Sequence, residues 1–178
     1  MNLFNYLIRI TRIYQAIIIM SIIYLPFLHK KNQQDQITKI ARSWIGTKFH
    51  LQGRVCKSNL HSGGCDCIGL IMGIAKQLNL KAKNGKPFIK YDKFDYPLVS
   101  RNNRLQDEFD WLLNETTKIK VGDLILFAIS KHPQHLAIIS NIENEEIYII
   151  HCHIKIGKVV EHRLDKEWKD KIIKIYEF

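Results

Sequence analysis

Eight residues, Gly63-Gly64-Cys65-Asp66-Cys67-Ile68-Gly69-Leu70, hold the densest chemistry in the chain. Two glycines permit a tight turn, and an apolar run of helical period starts directly after it. Cys67 then falls at a helix N-terminus, where unpaired N–H groups and the macrodipole favour an anion. That setting is expected to lower the thiol pKa from ~8.5 toward neutrality. The same N–H groups suit the oxyanion of a tetrahedral intermediate. Cys65, two residues earlier, lacks this position. Asp66 is read first as the carboxylate that caps the helix, and second as a residue that meets substrate.

A cysteine nucleophile needs a base, and the base needs an orienting partner. His135 opens a strand predicted over 135–142, and His151 lies toward the end of the next, 146–154. On adjacent antiparallel strands the two would sit side by side, and both are expected to face the helix that carries Cys67. By alternation His153 shares a face with His151 while Cys152 points to the other, so either histidine could orient the base. The plainer readings are a small buried Cys67 and strand histidines without a role. Cys56, Cys65, Cys152, His61 and His153 could instead hold zinc, but their spacing contains no CxxC pair, and no metal or other cofactor is expected. Lys48, Arg54 and Lys57 flank the presumed groove and read as solvated surface.

The elements that must position these groups follow from periodicity. Ile37, Ile40, Ala41, Trp44 and Ile45 form one apolar face of a helix over 36–45, ended by Gly46 and Thr47. Residues 46–64 form a polar connection too long to be a mere linker. A second helix is predicted over 68–80, a loop over 81–87, and a third helix over 101–114. Beyond Lys120 the pattern is strand-like: 123–129, 135–142, 146–154, 158–163 and 171–178, with Pro133 assigned to the first turn. Helices first and short sequential strands afterwards indicate an α+β domain with an antiparallel sheet.

Composition sets the outer bounds. The 178 residues suffice for one core, and 46% hydrophobic with 25% charged residues is ordinary for a globular domain. Four cysteines are too few for a disulfide scaffold. The net charge of +10 favours a polyanionic or acidic partner. Nucleic acid is set aside, because no recognised motif or aromatic–basic platform accompanies the charge. Residues 1–31 contain Arg9, Arg12, Lys30 and Lys31 and no acid, around an apolar run over 13–28 that falls just short of the about 20 residues a membrane span requires. This segment reads as a signal-like sequence or an anchor without a small-residue cleavage site, or as one never made if translation starts at Met20. Membrane contact through residues 13–28 and an envelope location are expected if the segment is real, and a cytoplasmic or phage-particle location otherwise. The folded domain is then 32–178.

Asp66-Cys67-Ile68-Gly69-Leu70, Val121-Gly122-Asp123-Leu124, His135-Leu136-Ala137-Ile138 and Ile150-His151 together resemble the NlpC-type cell-wall peptidase family, which is papain-like. Residues 41–54 and Val160-Glu161-His162-Arg163 are similar to its phage and gene-transfer-agent branch. The resemblance runs in family order from about residue 36 to the end. It implies N-terminal helices packed on an antiparallel sheet of about five strands, with Cys67 as nucleophile, His135 as base and His151 as orienter. It also implies cleavage of peptidoglycan stem peptides, typically between D-glutamate and diaminopimelate, and the possibility of phage-tail-like partners. Where the family usually has tyrosine this chain has Phe49, so His50, Gln52 or backbone must supply the missing donor. Phe49, His50, Gln52 and Asp66 are accordingly the candidate substrate contacts. Ile68, where serine is frequent, leaves the backbone N–H in place. The same fold also admits a thiol acyltransferase or a non-catalytic tail or envelope component.

Overall fold

The computed structural model describes residues 3–99 and 101–178, with side chains from residue 11 onward except at 16, 23–27 and 100. Arg9, Ala16 and residues 23–27 of the apolar segment therefore lie outside the described side chains. The chain divides into two units, 1–34 and 35–178. In the first, helix α1 (Leu3–Ser43) already runs through the apolar segment, where Ile13, Ile17, Ile18 and Ile22 are exposed. Among the described residues no helix is long and apolar enough to cross a membrane.

The second unit is an α+β domain. The last turns of α1 bury Ile37 and Ala41, and the turn that follows buries Trp44, with Ile40 and Ile45 of the same apolar face partly buried beside them. Residues 46–64 fold around a short antiparallel ribbon, β1 (Arg54–Val55) with β2 (Gly64–Cys65). Helix α2 (Cys67–Gln77) follows at once, and α3 spans Arg104–Leu112. Six antiparallel strands then form one sheet: β3 (Asn114–Glu115), β4 (Leu124–Ile129), β5 (His132–Glu143), β6 (Glu146–His153), β7 (Lys158–Arg163) and β8 (Ile172–Glu177), in the order β3-β8-β4-β5-β6-β7. The expected count was about five; β3 is the addition, two residues at the position assigned to a helix end and too short to show a period. A four-residue helix, α4 (Lys166–Lys169), lies between β7 and β8.

The turn before β5 is also tighter than the sequence suggested. Ser130 and Lys131 both adopt positive φ, 52° and 75°, which makes a two-residue hairpin and draws Pro133 into the strand. The ladder shifts register between Phe127 and Ala128 there, and such an irregularity tolerates a residue without an N–H. Asn144 and Glu145, at φ 50° and 65°, repeat the device between β5 and β6.

Alternation divides the sheet into two faces with separate cores. Leu136, Ile138, Ile150, Cys152 and Val159 pack with α2 and α3. Ala137, Ile139, Ile149, Ile125, Phe127 and Leu164 form a second cluster on the other side, covered by Trp168 of α4.

Candidate active site

Asp66 fastens the N-terminus of α2. Its Oδ1 accepts from the Gly69 N–H at 2.7 Å, the capping bond expected of a carboxylate at this position. Its Oδ2 accepts from the Gln52 N–H at 2.7 Å and from the Tyr96 hydroxyl at 2.8 Å. Arg54 approaches through Nη1 at 3.5 Å and donates to Asp92 through Nε and Nη2 at 2.8–3.0 Å. Arg54 is thus a half-buried tie between loops rather than solvated surface. Two glycines let neighbours close on α2: a Cβ at Gly69 would lie 1.9 Å from the Gly53 carbonyl oxygen, and one at Gly73 would lie 2.1 Å from the Trp44 indole.

Cys67 is the first residue of α2 and is half-buried. Its thiol is pushed up to about 12, first by burial and then by the Asp66 carboxylate, against the lowering effect of the Leu136 and Ile68 backbone N–H groups. This corrects the expected depression. The helix end does supply donors, but the carboxylate that caps it stands next to the sulfur, and desolvation outweighs the amide field. The resting thiol is therefore neutral and needs a base.

His135 and His151 lie on the face opposite to the one expected. Leu136, Ile138, Ile150 and Cys152 occupy the α2 side, so odd-numbered His135 and His151 fall on the side of Trp168. Alternation tied the two histidines to a common face but not to the helix side. They are in contact: His135 Nε2 and His151 Nδ1 are 2.6 Å apart. His153 instead accepts from the Ile156 N–H through Nδ1 at 3.4 Å. Burial, followed by neighbouring imidazoles, pulls His135 down to about 3 and His151 down to about 2, so both are neutral near pH 7. Trp168 meets His151 edge-on at 4.7 Å between ring centroids. His162, which bonds His151 from β7 at 2.8 Å, lies in the 160–163 stretch that carries the resemblance, but no site role is implied for it there, and Trp168 has no signal in the sequence.

One cavity joins the two sides. Cys67, His135, Cys152, Phe49, Asp66 and Tyr96 all line it, with Lys93, Arg101 and Arg104 on the same wall system. Of the four candidate substrate contacts, Phe49 and Asp66 reach it. His50 Nδ1 engages the Leu51 carbonyl, and the Gln52 amide donates to the Tyr96 carbonyl at 2.9 Å. Asp66 has its oxygens committed to the cap and loops, which makes it a fastening rather than a free contact. Tyr96 brings to this cavity the phenol that Phe49 lacks; it sits in an irregular segment where no periodic signal marks it. Among the described residues no group of three or more His, Cys, Asp or Glu side chains is arranged to hold a metal. Buried Cys152 donates its thiol to the Cys65 carbonyl at 3.1 Å, while Cys56 lies elsewhere against the Ser43 carbonyl.

A thiol, a neutral imidazole with a fixed partner, and a helix N-terminus opening on one cavity are the components of nucleophilic acyl transfer. No family model and no curated protein matches the sequence. Among solved structures, an N-acetylmuramoyl-L-alanine amidase from Bacteroides uniformis is similar over 82% of this chain and 97% of its own, at 11% identity and a TM-score of 0.51. The NlpC/p60 domain of the peptidoglycan hydrolase SagA overlaps over 82% and 98%, at 16% identity and a TM-score of 0.49. The chain thus has an α+β fold, helices packed on an antiparallel sheet, similar to that of the amidase and of the class that the resemblance of its sequence implied.

Proposed function

We propose that this protein is a cell-wall hydrolase, a cysteine peptidase that cuts peptide bonds in peptidoglycan stem peptides between D-glutamate and diaminopimelate. The observation that carries the reading is that Cys67 and the base-competent His135 open onto one cavity beside the N-terminus of α2. The amidase of similar fold adds weight to the substrate class, as do the sequence motifs. Arg101 along the cavity and the overall positive charge suit a carboxylate-rich peptide, while Lys93 and Arg104 are paired with Glu108, and Arg104 also with Asp95.

The chemistry starts from a neutral pair. His135 takes the thiol proton as sulfur attacks the scissile carbonyl carbon, and the helix N-terminus stabilises the resulting oxyanion. The imidazolium then protonates the leaving amine, the C–N bond breaks, and a thioester remains on Cys67. Water, deprotonated by His135, hydrolyses the thioester and restores the thiol. The apolar run 13–28 would bring the domain to a membrane surface in the envelope. The likeness of residues 41–54 and 160–163 to the phage branch suggests a tail-associated setting.

Digestion of purified sacculi by the full chain tests the reading. Mass spectrometry should find fragments ending in D-glutamate, with new amino termini on diaminopimelate, and EDTA should not change the yield. Release of intact stem peptides from muramic acid would mean an amidase instead, and intact sacculi would exclude wall hydrolysis.

A further inference from the structure

His162 lies on β7 opposite Ile149, on the sheet face that carries His135 and His151. Its Nε2 is 2.8 Å from His151 Nε2, and its Nδ1 is 2.7 Å from the Arg163 carbonyl oxygen. A carbonyl only accepts, so the His162 proton resides on Nδ1 and its Nε2 is an acceptor. His151 must then donate from Nε2, which leaves its Nδ1 to accept from His135 Nε2 across 2.6 Å. A neutral His135 protonated at Nε2 has a bare Nδ1, the lone pair that a general base requires. One backbone carbonyl on β7 thereby dictates the tautomers of three rings in series.

We propose that His162 is a positioning residue: through His151 it holds His135 in the Nε2–H tautomer and keeps the Nδ1 lone pair available to the thiol. The catalytic consequence rests on the cysteine-peptidase reading, whereas the tautomer chain does not. The chain holds only while its rings are uncharged, and burial disfavours protonation of His135 and His151. Trp168 covers the series, with its ring centroid 4.7 Å from His151 and 5.9 Å from His162. Without an acceptor at position 162, His151 is free to carry its proton on Nδ1. It would then donate to His135 Nε2 and drive the His135 proton onto Nδ1, which disables the base.

Long-range proton–nitrogen correlation spectra of the full chain, labelled with 15N-histidine at pH 7, read each tautomer without any substrate. The wild type should show Nε2–H at His135 and His151 and Nδ1–H at His162. His162→Phe, which cannot accept, should give mixed tautomers at His135 and His151 and lower kcat on a stem peptide by about 10- to 100-fold, with KM little changed. His162→Gln, whose amide oxygen can accept from His151, should restore the His135 tautomer and most of kcat. A wild-type His135 protonated at Nδ1, or a His162→Phe variant with unchanged tautomers and kcat, would overturn the proposal. Spectra of the predicted pattern in a chain that cuts no stem peptide would uphold the tautomer chain and remove the peptidase reading alone.

Discussion

On its α2 side the sheet presents Leu136, Ile138, Ile150 and Cys152 to an apolar core, and of the two thiols that line the cavity Cys67 stands at a helix N-terminus whereas Cys152 is bonded to the Cys65 carbonyl. On its other side His135, His151 and His162 run hydrogen-bonded beneath Trp168. The first region raises the pKa of its acid and the second lowers those of its bases, in both cases mainly by desolvation. Each face thus stores a neutral partner. On the proposed peptidase reading, charge would arise only when the proton passes from Cys67 to His135 at their shared cavity, coupling thiolate formation to attack rather than leaving a reactive anion at rest.

The largest effect should come from the thiol side. Cys67→Ala is expected to lose all measurable hydrolysis, because no other thiol there stands at a helix N-terminus. Cys65→Ala, which alters a buried neighbour without that position, should retain most of it. Turnover of labelled sacculi compares the two, and equal losses would dissolve the distinction.

The histidine side should respond in steps. His135→Gln removes the proton acceptor and is expected to be inactive. His151→Asn keeps an oxygen that can accept from His135 Nε2, and should retain turnover reduced about 10- to 100-fold. His153→Ala should approach wild type, since His153 bonds the Ile156 N–H and not the base. Measured as kcat/KM on one stem peptide, a His153→Ala loss exceeding that of His151→Asn would break the proposed series.

Acid stability sharpens the same contrast. His135 and His151 resist protonation in the folded state but not in the unfolded one, so the unfolded chain binds more protons as pH falls below about 6.5. Stability should be fully present above that pH and decline on the way to pH 3, by at most roughly 1.4 kcal/mol per pH unit for each ring. Urea midpoints at pH 7, 6, 5 and 4 check this, and a flat profile would contradict neutral buried rings. The smallest effect is expected from deleting residues 1–31, which should leave folding and sacculus turnover near wild type. Loss of the folded state on that deletion would make the segment part of the core.

The position of Cys67 and its Asp66 cap were legible because a diglycine turn and a 3.6-residue period are local signals. The strands from Leu124 onward were legible for the same reason. The side of the sheet was not: alternation relates His135 to His151, but only long-range packing decides which face meets α2. His162 stands in the 160–163 stretch that carries the resemblance, but its role was hidden because its partner is chosen by the β6–β7 register and by a carbonyl, neither of which has a sequence signature. Trp168 sits on a helix too short for periodicity, and Tyr96 on a segment without any. The raised thiol pKa was not legible because burial of the sulfur, a product of long-range packing, is its main cause, with the Asp66 carboxylate that caps the helix adding to it.

The central claim is that Cys67 attacks the stem-peptide carbonyl with His135 as its base, and the acyl-enzyme tests it most directly. The full chain, mixed with a defined stem peptide and quenched in acid during turnover, should show by intact and peptide-level mass spectrometry a thioester on Cys67 carrying the D-glutamate-terminated half. The adduct should be missing in His135→Gln. Product formation with no adduct at Cys67, or an adduct on another residue, would contradict the account.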